Sequence, residues 1–243
     1  MWGRLNDHGG GAQEHLSYRP IERRLPGFLR RYLLHFEAAI EGALDRFAAG
    51  LPRGTSVLDA GAGEMSHARF FGKQRYVGVD LAVGDAEWDY GKLDAIGDLT
   101  ALPFRDGCFD ACINIVTLEH VREPGCALRE ICRTLVRGGR LLLIVPHEWE
   151  VHQAPHDYFR YTRHGVAYLL EKAGFAEYTI DPVGGYFRLC SRRLLNGLQF
   201  FRGPWFFVAA LFLAPPALVL PWFDSLDRER NFTLGYICSA KKS

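Results

Sequence analysis

The sequence predicts an α/β protein: a doubly wound, mostly parallel seven-stranded sheet with an apolar helical insertion before the last strand. Three observations carry that expectation. Between Thr55 and Asp181, short apolar runs alternate with stretches of helical periodicity, the order that builds a parallel sheet covered on both faces. The first run, VLDAGAG at 57–63, passes from an aspartate straight into glycines, and the second, RYVGVD at 75–80, ends in another aspartate. The run PWFFVAALFLAPPALVLPWF at 204–223 carries no charge and interrupts the pattern late in the chain.

The elements follow in order. Residues 1–20 include Gly9–Gly11 and little apolar periodicity, so a flexible tail is expected there. Residues 21–243 then form a single domain, with 185–232 as the hydrophobic helical insertion. Apolar residues at spacings of three and four from Ile21 to Ala49 predict a helix, stopped by Gly50 and Pro52. Strand one is Val57–Asp59, followed by a helix over about Met65–Phe71. Strand two is Tyr76–Asp80, and Ala95–Leu99 is a weak strand three. FDACINIV at 109–116 is strand four. Pro124–Val136 reads as a helix with proline in its first turn and Gly138–Gly139 at its end. RLLLIV at 140–145 is too apolar for an edge strand. Thr162–Ala173 is a helix capped by its threonine and stopped by Gly174. Ala176–Asp181 is strand six, and LGYICSA at 234–240 is the last strand.

Composition narrows the function classes. The chain has 243 residues and formal net charge +1; this balance gives no general attraction to nucleic acid. Six cysteines show no CxxC pair and lie among apolar neighbours, as small core residues do in a reducing compartment. The opening MWGRLNDHGGG is not a secretory signal. A cytoplasmic location is expected.

In a doubly wound sheet, ligands sit beyond the carboxyl ends of the strands. Asp59 and Asp80 stand at two such ends, separated by about twenty residues, the spacing at which a strand-two acid accepts from ribose hydroxyls. Gly61 and Gly63 let the backbone approach a ligand closely. A nucleoside is therefore expected. A dinucleotide fits poorly: the third glycine of G-x-G-x-x-G is replaced by Ser66, and Asp59 and Glu64 would repel a pyrophosphate. A cofactor carrying an ammonium and a sulfonium suits this charge.

The segments VLDAGAGE (57–64), YVGVDL (76–81), GDLTALPFRDGCFD (97–110), LEHVREP (118–124), LREICRTLVRGGRLLLIVP (128–146) and HDYFRYT (156–162) together resemble the class I S-adenosylmethionine-dependent methyltransferases, in particular the small-molecule branch called type 11. The resemblance implies a Rossmann-like fold whose last strand is antiparallel, with S-adenosyl-L-methionine as cofactor. It implies that Asp59, Gly61 and Gly63 face the methionine part and that Asp80, with Leu81 beside it, holds the ribose. It further implies that Asp98 and Leu99 flank the adenine and that Asn114 lies by the methionine end. As structural alternatives, Asp98 is a turn residue before Thr100 and Asn114 a buried amide bonded to backbone.

Methyl transfer requires mainly that the nucleophile be positioned and its proton removed. The segment PHEWEVHQAPHDYFRYT at 146–162 follows strand five at the cofactor rim. His147, His156, Asp157 and Tyr161 are the candidate catalytic residues; pairing of Asp157, Arg160 and Tyr161 within a structural loop is the competing reading. His152 and His156 have helical spacing, but Pro155 between them argues against a metal pair, and no metal is assigned. Glu119-His120 is also at the rim, without an assigned role.

The uncharged run at 204–223 is long enough to span a bilayer. A crossing would strand the last β-strand on the far side, and Pro215-Pro216 is expected to split the run into two short helices. A helical hairpin that dips into one leaflet, covers the acceptor pocket or meets a second subunit is expected instead. Arg192, Arg193 and Arg202 nearby, with Arg19, Arg23, Arg24, Arg30 and Arg31, would attract anionic headgroups. The expected protein is thus a methyltransferase for a small-molecule or lipid-like acceptor. No nucleic acid is expected as partner. Membrane contact through Pro204–Phe223 at the inner face and a homodimer are the further expected contacts. The rival is a catalytically silent protein of the same fold, used for assembly or membrane docking.

Overall fold

The structure, a computed structural model, describes residues 32–84 and 87–243. The tail at 1–20 with Arg19, and residues 21–31 of the predicted Ile21–Ala49 helix with Arg23, Arg24, Arg30 and Arg31, lie outside the described residues. The strands are β1 (Ser56–Ala60), β2 (Arg75–Asp80), β3 (Ala95–Ile96), β4 (Phe109–Ile115), β5 (Leu135–Pro146), β6 (Phe175–Val183) and β7 (Gly235–Lys242). They form one seven-stranded sheet in the order β3-β2-β1-β4-β5-β7-β6. The first five pair in parallel, and β7 runs antiparallel between β5 and β6. This is the predicted fold class.

The helices are α1 (His35–Ala49), α2 (Pro124–Thr134), α3 (Arg163–Ala173), α4 (Tyr186–Gly197) and α5 (Pro204–Val219). Alternate residues of each central strand feed two cores. Leu58, Cys112, Leu141, Leu143 and Val145 pack with α2 and α3 on one face. Val57, Ala111, Ile113, Leu142 and Ile144 pack with α1 on the other. Leu141 to Val145 of β5 are buried on both faces, as its continuous apolar run requires, each side chain contributing about 1.5–3 kcal/mol. Thr162 caps α3 as predicted, its hydroxyl accepting from the Gly165 N–H at 3.1 Å, and Gly174 ends the helix in the left-handed conformation.

Four expectations are corrected. The helix over Met65–Phe71 is a single 3-10 turn, Ser66–Phe70, because Met65 takes a left-handed conformation and drops its sulfur into the space that Gly78 leaves by having no Cβ. Strand three shrinks to Ala95–Ile96. Gly138–Gly139 does not end a helix. The chain passes from Thr134 directly into β5, and the glycines lie in a bulge where the partner of β4 jumps from Leu135 to Arg140. Pro215-Pro216 does not split the apolar run: α5 continues through both.

That last result has a local cause. The proline φ is itself helical, and this end of α5 is held from outside. Ala217 is fully buried, its carbonyl accepts from the Ser191 hydroxyl of α4, and the Leu218 carbonyl accepts from the Tyr32 hydroxyl. Pro221, four residues after Ala217, has no N–H to donate to that carbonyl, and the Ser191 hydroxyl takes its place. The hairpin expected within 204–223 does not form; the unbroken α5 packs against α4 instead, and α4 also packs on the 3-10 turn Leu220–Leu226.

Candidate active site

The carboxyl ends of β1, β2 and β4 open onto a cavity of about 1140 Å³, large for a drug-sized ligand site and roomy enough for a nucleoside cofactor with a second molecule beside it. The glycine turn forms its floor. Gly61 has φ +94°, and a Cβ there would lie 2.2 Å from Thr117 Cγ2. Gly63 has φ +50°, with the Trp88 ring 3.1 Å from the position its Cβ would take. Both positions thus need glycine for conformation and for space. The Gly61 and Ala62 N–H groups donate to the Val79 carbonyl at 2.8 and 3.1 Å, which ties the turn to the end of β2.

Asp80 completes that tie. Its carboxylate accepts from the Gly63 N–H at 3.0 Å and the Ala82 N–H at 2.8 Å, leaving further lone pairs toward the cavity. Asp59 is fully buried behind the turn. One of its oxygens accepts from the Tyr76 hydroxyl and meets His67 Nδ1 at 3.1 Å. Burial, reinforced by the Asp59 charge, pushes the Tyr76 hydroxyl well above its ordinary value and keeps it a donor. Asn114, also buried, donates to the Ala60 carbonyl at 2.6 Å. Asp59 Oδ1 and Asn114 Oδ1 are buried acceptors without a partner.

Of the predicted cofactor residues, Gly61, Gly63, Asp80, Leu81, Asp98 and Leu99 line the cavity, while Asp59 and Asn114 stand behind it. Asp98 also caps its own turn, accepting from the Thr100 N–H and hydroxyl, each at 2.8 Å. The site fits a sulfonium- and ammonium-bearing nucleoside: a close-approach glycine turn, a strand-two carboxylate, and two unsatisfied acceptor oxygens behind. It does not offer a pyrophosphate a helix N-terminus, because a 3-10 turn follows the glycines.

The candidate catalytic residues separate. His156 lines the cavity, with Nδ1 3.2 Å from the Tyr158 hydroxyl. His147 does not: Nδ1 meets the Tyr161 carbonyl at 2.7 Å and its N–H donates to Leu234. Tyr161 is buried, and its hydroxyl donates to the Leu118 carbonyl at 2.9 Å. Asp157 is held by Arg160 through two hydrogen bonds of 2.6 and 2.7 Å and by the His152 N–H at 2.8 Å. Burial raises its carboxyl, but these donors outweigh burial and hold it at about 2. Asp157 with Arg160 is a structural clamp.

The loop carrying these residues is fastened to the turn after β4, a 3-10 turn at Leu118–His120. The Tyr158 and Phe159 N–H groups donate to the Glu119 carbonyl at 2.9 and 3.3 Å, and Arg122 donates to the Tyr158 hydroxyl at 3.0 Å. His120 and Tyr158 face the cavity from these two segments. Burial pushes the Glu119 carboxyl up to about 8. Sequence reasoning placed Glu119-His120 and Tyr158 at the rim but missed Thr117, Trp88 and Arg122. The rule that sites gather after the strands could have found Thr117. Trp88 sits in a segment without periodicity and gives no such signal.

The fold and the glycine turn define a class: a nucleoside-binding α/β domain built for a cationic cofactor. Residues 58–143 match the sequence model of the methyltransferase domain family. Over that segment the chain is similar to the S-adenosylmethionine-dependent methyltransferases of the type 11 branch, and the cofactor that matches this segment is S-adenosyl-L-methionine. Among curated proteins it is 32% identical over 119 residues to the tRNA (carboxymethyluridine(34)-5-O)-methyltransferase of Xenopus tropicalis, covering 44% of this chain and 17% of that protein. It is 38% identical over 104 residues to the demethylmenaquinone methyltransferase of Renibacterium salmoninarum, covering 40% and 43%. The chain thus spans less than half the length of either relative. A solved methyltransferase from Archaeoglobus fulgidus has the same fold, with TM-score 0.55 and 15% identity over 84% of this chain and 94% of that one.

Proposed function

We propose that the protein transfers a methyl group from S-adenosyl-L-methionine to a small or lipid-like acceptor while lying against the cytoplasmic face of a membrane. The observation that carries the reading is one cavity with two chemically distinct ends: glycines and carboxylates at the β1–β2 end, His156, Tyr158 and Arg122 at the other. When bound, the cofactor supplies a methyl carbon on a sulfonium. Asp80 accepts from the ribose hydroxyls, and Gly61 and Gly63 let the backbone close on the methionine part. His156 takes the acceptor's proton, and the fastened loop excludes water. The demethylmenaquinone relative supports a small apolar acceptor.

The membrane part rests on α5. Residues 204–226 form the one stretch among the described residues long and apolar enough to cross a membrane, and its most apolar window is 17% buried. Trp205, Phe207, Leu211, Phe212 and Trp222 are each 68–74% exposed. A helix apolar all round and left outside the core needs a covering phase. Because β7 returns to the sheet, α5 lies in the interface rather than across it. Of the nearby arginines, Arg202 is exposed, whereas Arg192 pairs with Glu37 and Arg193 with Glu150.

Calorimetric titration with S-adenosyl-L-methionine, with NAD as control, tests the cofactor end. Binding in the micromolar range is expected, weakened by about 1–3 kcal/mol in Asp80→Ala. A folded protein that binds neither ligand is the silent-fold rival and removes the enzymatic reading.

A further inference from the structure

We propose that Glu119, His120 and His152 form a binding site for a divalent transition-metal ion, zinc being the best match, in the wall of the acceptor end of the cavity. The proposal rests on the acceptor-end reading only for the ion's role, not for its binding.

Three ligand atoms converge. Glu119 Oε1 lies 3.8 Å from His120 Nε2 and 3.7 Å from His152 Nε2, and the ligand atoms of the three residues are all within 4.8 Å of one another. The imidazoles meet edge to face, with ring centroids 4.7 Å apart. Glu119 is fully buried, and neither of its carboxylate oxygens has a hydrogen-bond partner. His120 Nε2 is equally buried and unpartnered. Such groups are almost always satisfied in a folded protein.

The outer contacts set the tautomers. His120 Nδ1 is 2.6 Å from the His156 carbonyl, which only accepts, so the proton sits on Nδ1 and Nε2 keeps a lone pair. His152 Nδ1 is 3.1 Å from the Glu150 carbonyl and 3.4 Å from Asp157 Oδ2, which fixes the same tautomer. Two lone pairs and the Glu119 carboxyl group therefore point into one space. Hydrogen bonds among them are excluded by length, since 3.7–3.8 Å exceeds the donor–acceptor range. A cation resolves all three at once. Carbonyl-oriented histidines with one carboxylate are a donor set that zinc accepts, and closure to bonds of about 2.0–2.2 Å needs only small side-chain movements.

The sequence hid this set. Pro155 speaks against His152 with His156, and the structure pairs His152 with residues more than thirty positions earlier. With three protein ligands a fourth position stays open, as in catalytic zinc sites. His120 also lines the cavity, so an acceptor oxygen or a water can complete the shell. The ion would also pin the loop at 147–162 to the turn at 118–120.

The test uses the full-length chain without an affinity tag. It is stripped with chelator, dialysed and titrated with ZnCl2 by calorimetry, and its cobalt form is examined for visible d–d bands. The expected result is one ion per chain, visible bands in the cobalt form, and a thermal midpoint raised by zinc. Glu119→Gln and His152→Ala should each weaken binding at least tenfold and lose the zinc-induced shift. Glu119→Gln can donate to a lone pair, so it should fold without metal, which its circular dichroism would verify. No binding by the folded wild type, or equal binding in both folded variants, overturns the proposal. Titration with S-adenosyl-L-methionine reads the other end of the cavity, so the metal site and the methyltransferase reading fail separately.

Discussion

The glycine turn and the α4–α5 arm sit on the same sheet and follow opposite rules. At the turn, nearly every polar group has an internal partner, and glycine is present where a single Cβ would collide with Thr117. Along α5, large aromatic side chains face outward on a helix that carries two internal prolines. The first region is shaped around a small polar molecule. The second leaves a large apolar surface uncovered by the described residues. The comparison teaches that an exposed apolar arm can be inserted between β6 and β7 while the ends of β1, β2 and β4 that form the cavity stay untouched.

Substitutions at the two regions should therefore act independently. The largest effect is expected for Gly61→Ala, where a Cβ 2.2 Å from Thr117 Cγ2 at φ +94° adds strain of about 1–3 kcal/mol to a direct clash. Cofactor affinity should fall roughly a hundredfold or more by that reckoning, with vesicle binding unchanged. Retained affinity in calorimetry would break the turn's assigned role.

Next comes the arm. Replacing Trp205, Phe207, Phe212 and Trp222 together by serine should abolish flotation with anionic vesicles, since each exposed aromatic can contribute about 1.5–3 kcal/mol when covered, and should leave cofactor affinity as it was. Persistent flotation, or a dimer by light scattering that stays off vesicles, would reassign α5 to another surface. Thr162→Ala removes the α3 cap and should cost about 1 kcal/mol in chemical denaturation, with no change at either region.

The last effect is absent at neutral pH, appears only on acidification, and concerns His35 in α1. Burial first, then Arg188, lowers its imidazole to about 4. The folded state therefore resists protonation that the unfolded chain accepts near pH 6.5. Stability is complete above pH 6.5 and is lost as pH falls toward 4. His35→Gln should flatten that part of the stability–pH curve; an unchanged slope would show that other groups produce it.

Much of this architecture is legible in the residues. Alternating apolar runs mark the seven strands, and Asp59, Gly61, Gly63 and Asp80 mark the ligand rim, because local spacing encodes both. Glycine and proline were read less well. Gly138–Gly139 looks like a helix stop and is a strand bulge, and Pro215-Pro216 looks like a break and lies inside a continuous helix that Ser191 and Tyr32 anchor just beyond it. In each case a distant partner decides what a local signal cannot. The same holds for the loop at 146–162, where Asp157 and Tyr161 have catalytic side chains by type but spend them on Arg160 and Leu118. The meeting of Glu119 with His152 depends on the fastening of one loop to another turn, which no periodicity records.

The position of β7 has a consequence for how the molecule is made. β5 and β6 leave the ribosome first, and the strand that must fit between them arrives only after the whole arm. Until then the sheet has a gap, and β6 has no neighbour to hold it. The arm is therefore presented while the domain behind it is still unfinished. On the membrane reading proposed above, the aromatic helix is available to a bilayer before the sheet closes, and attachment does not have to wait for the final fold.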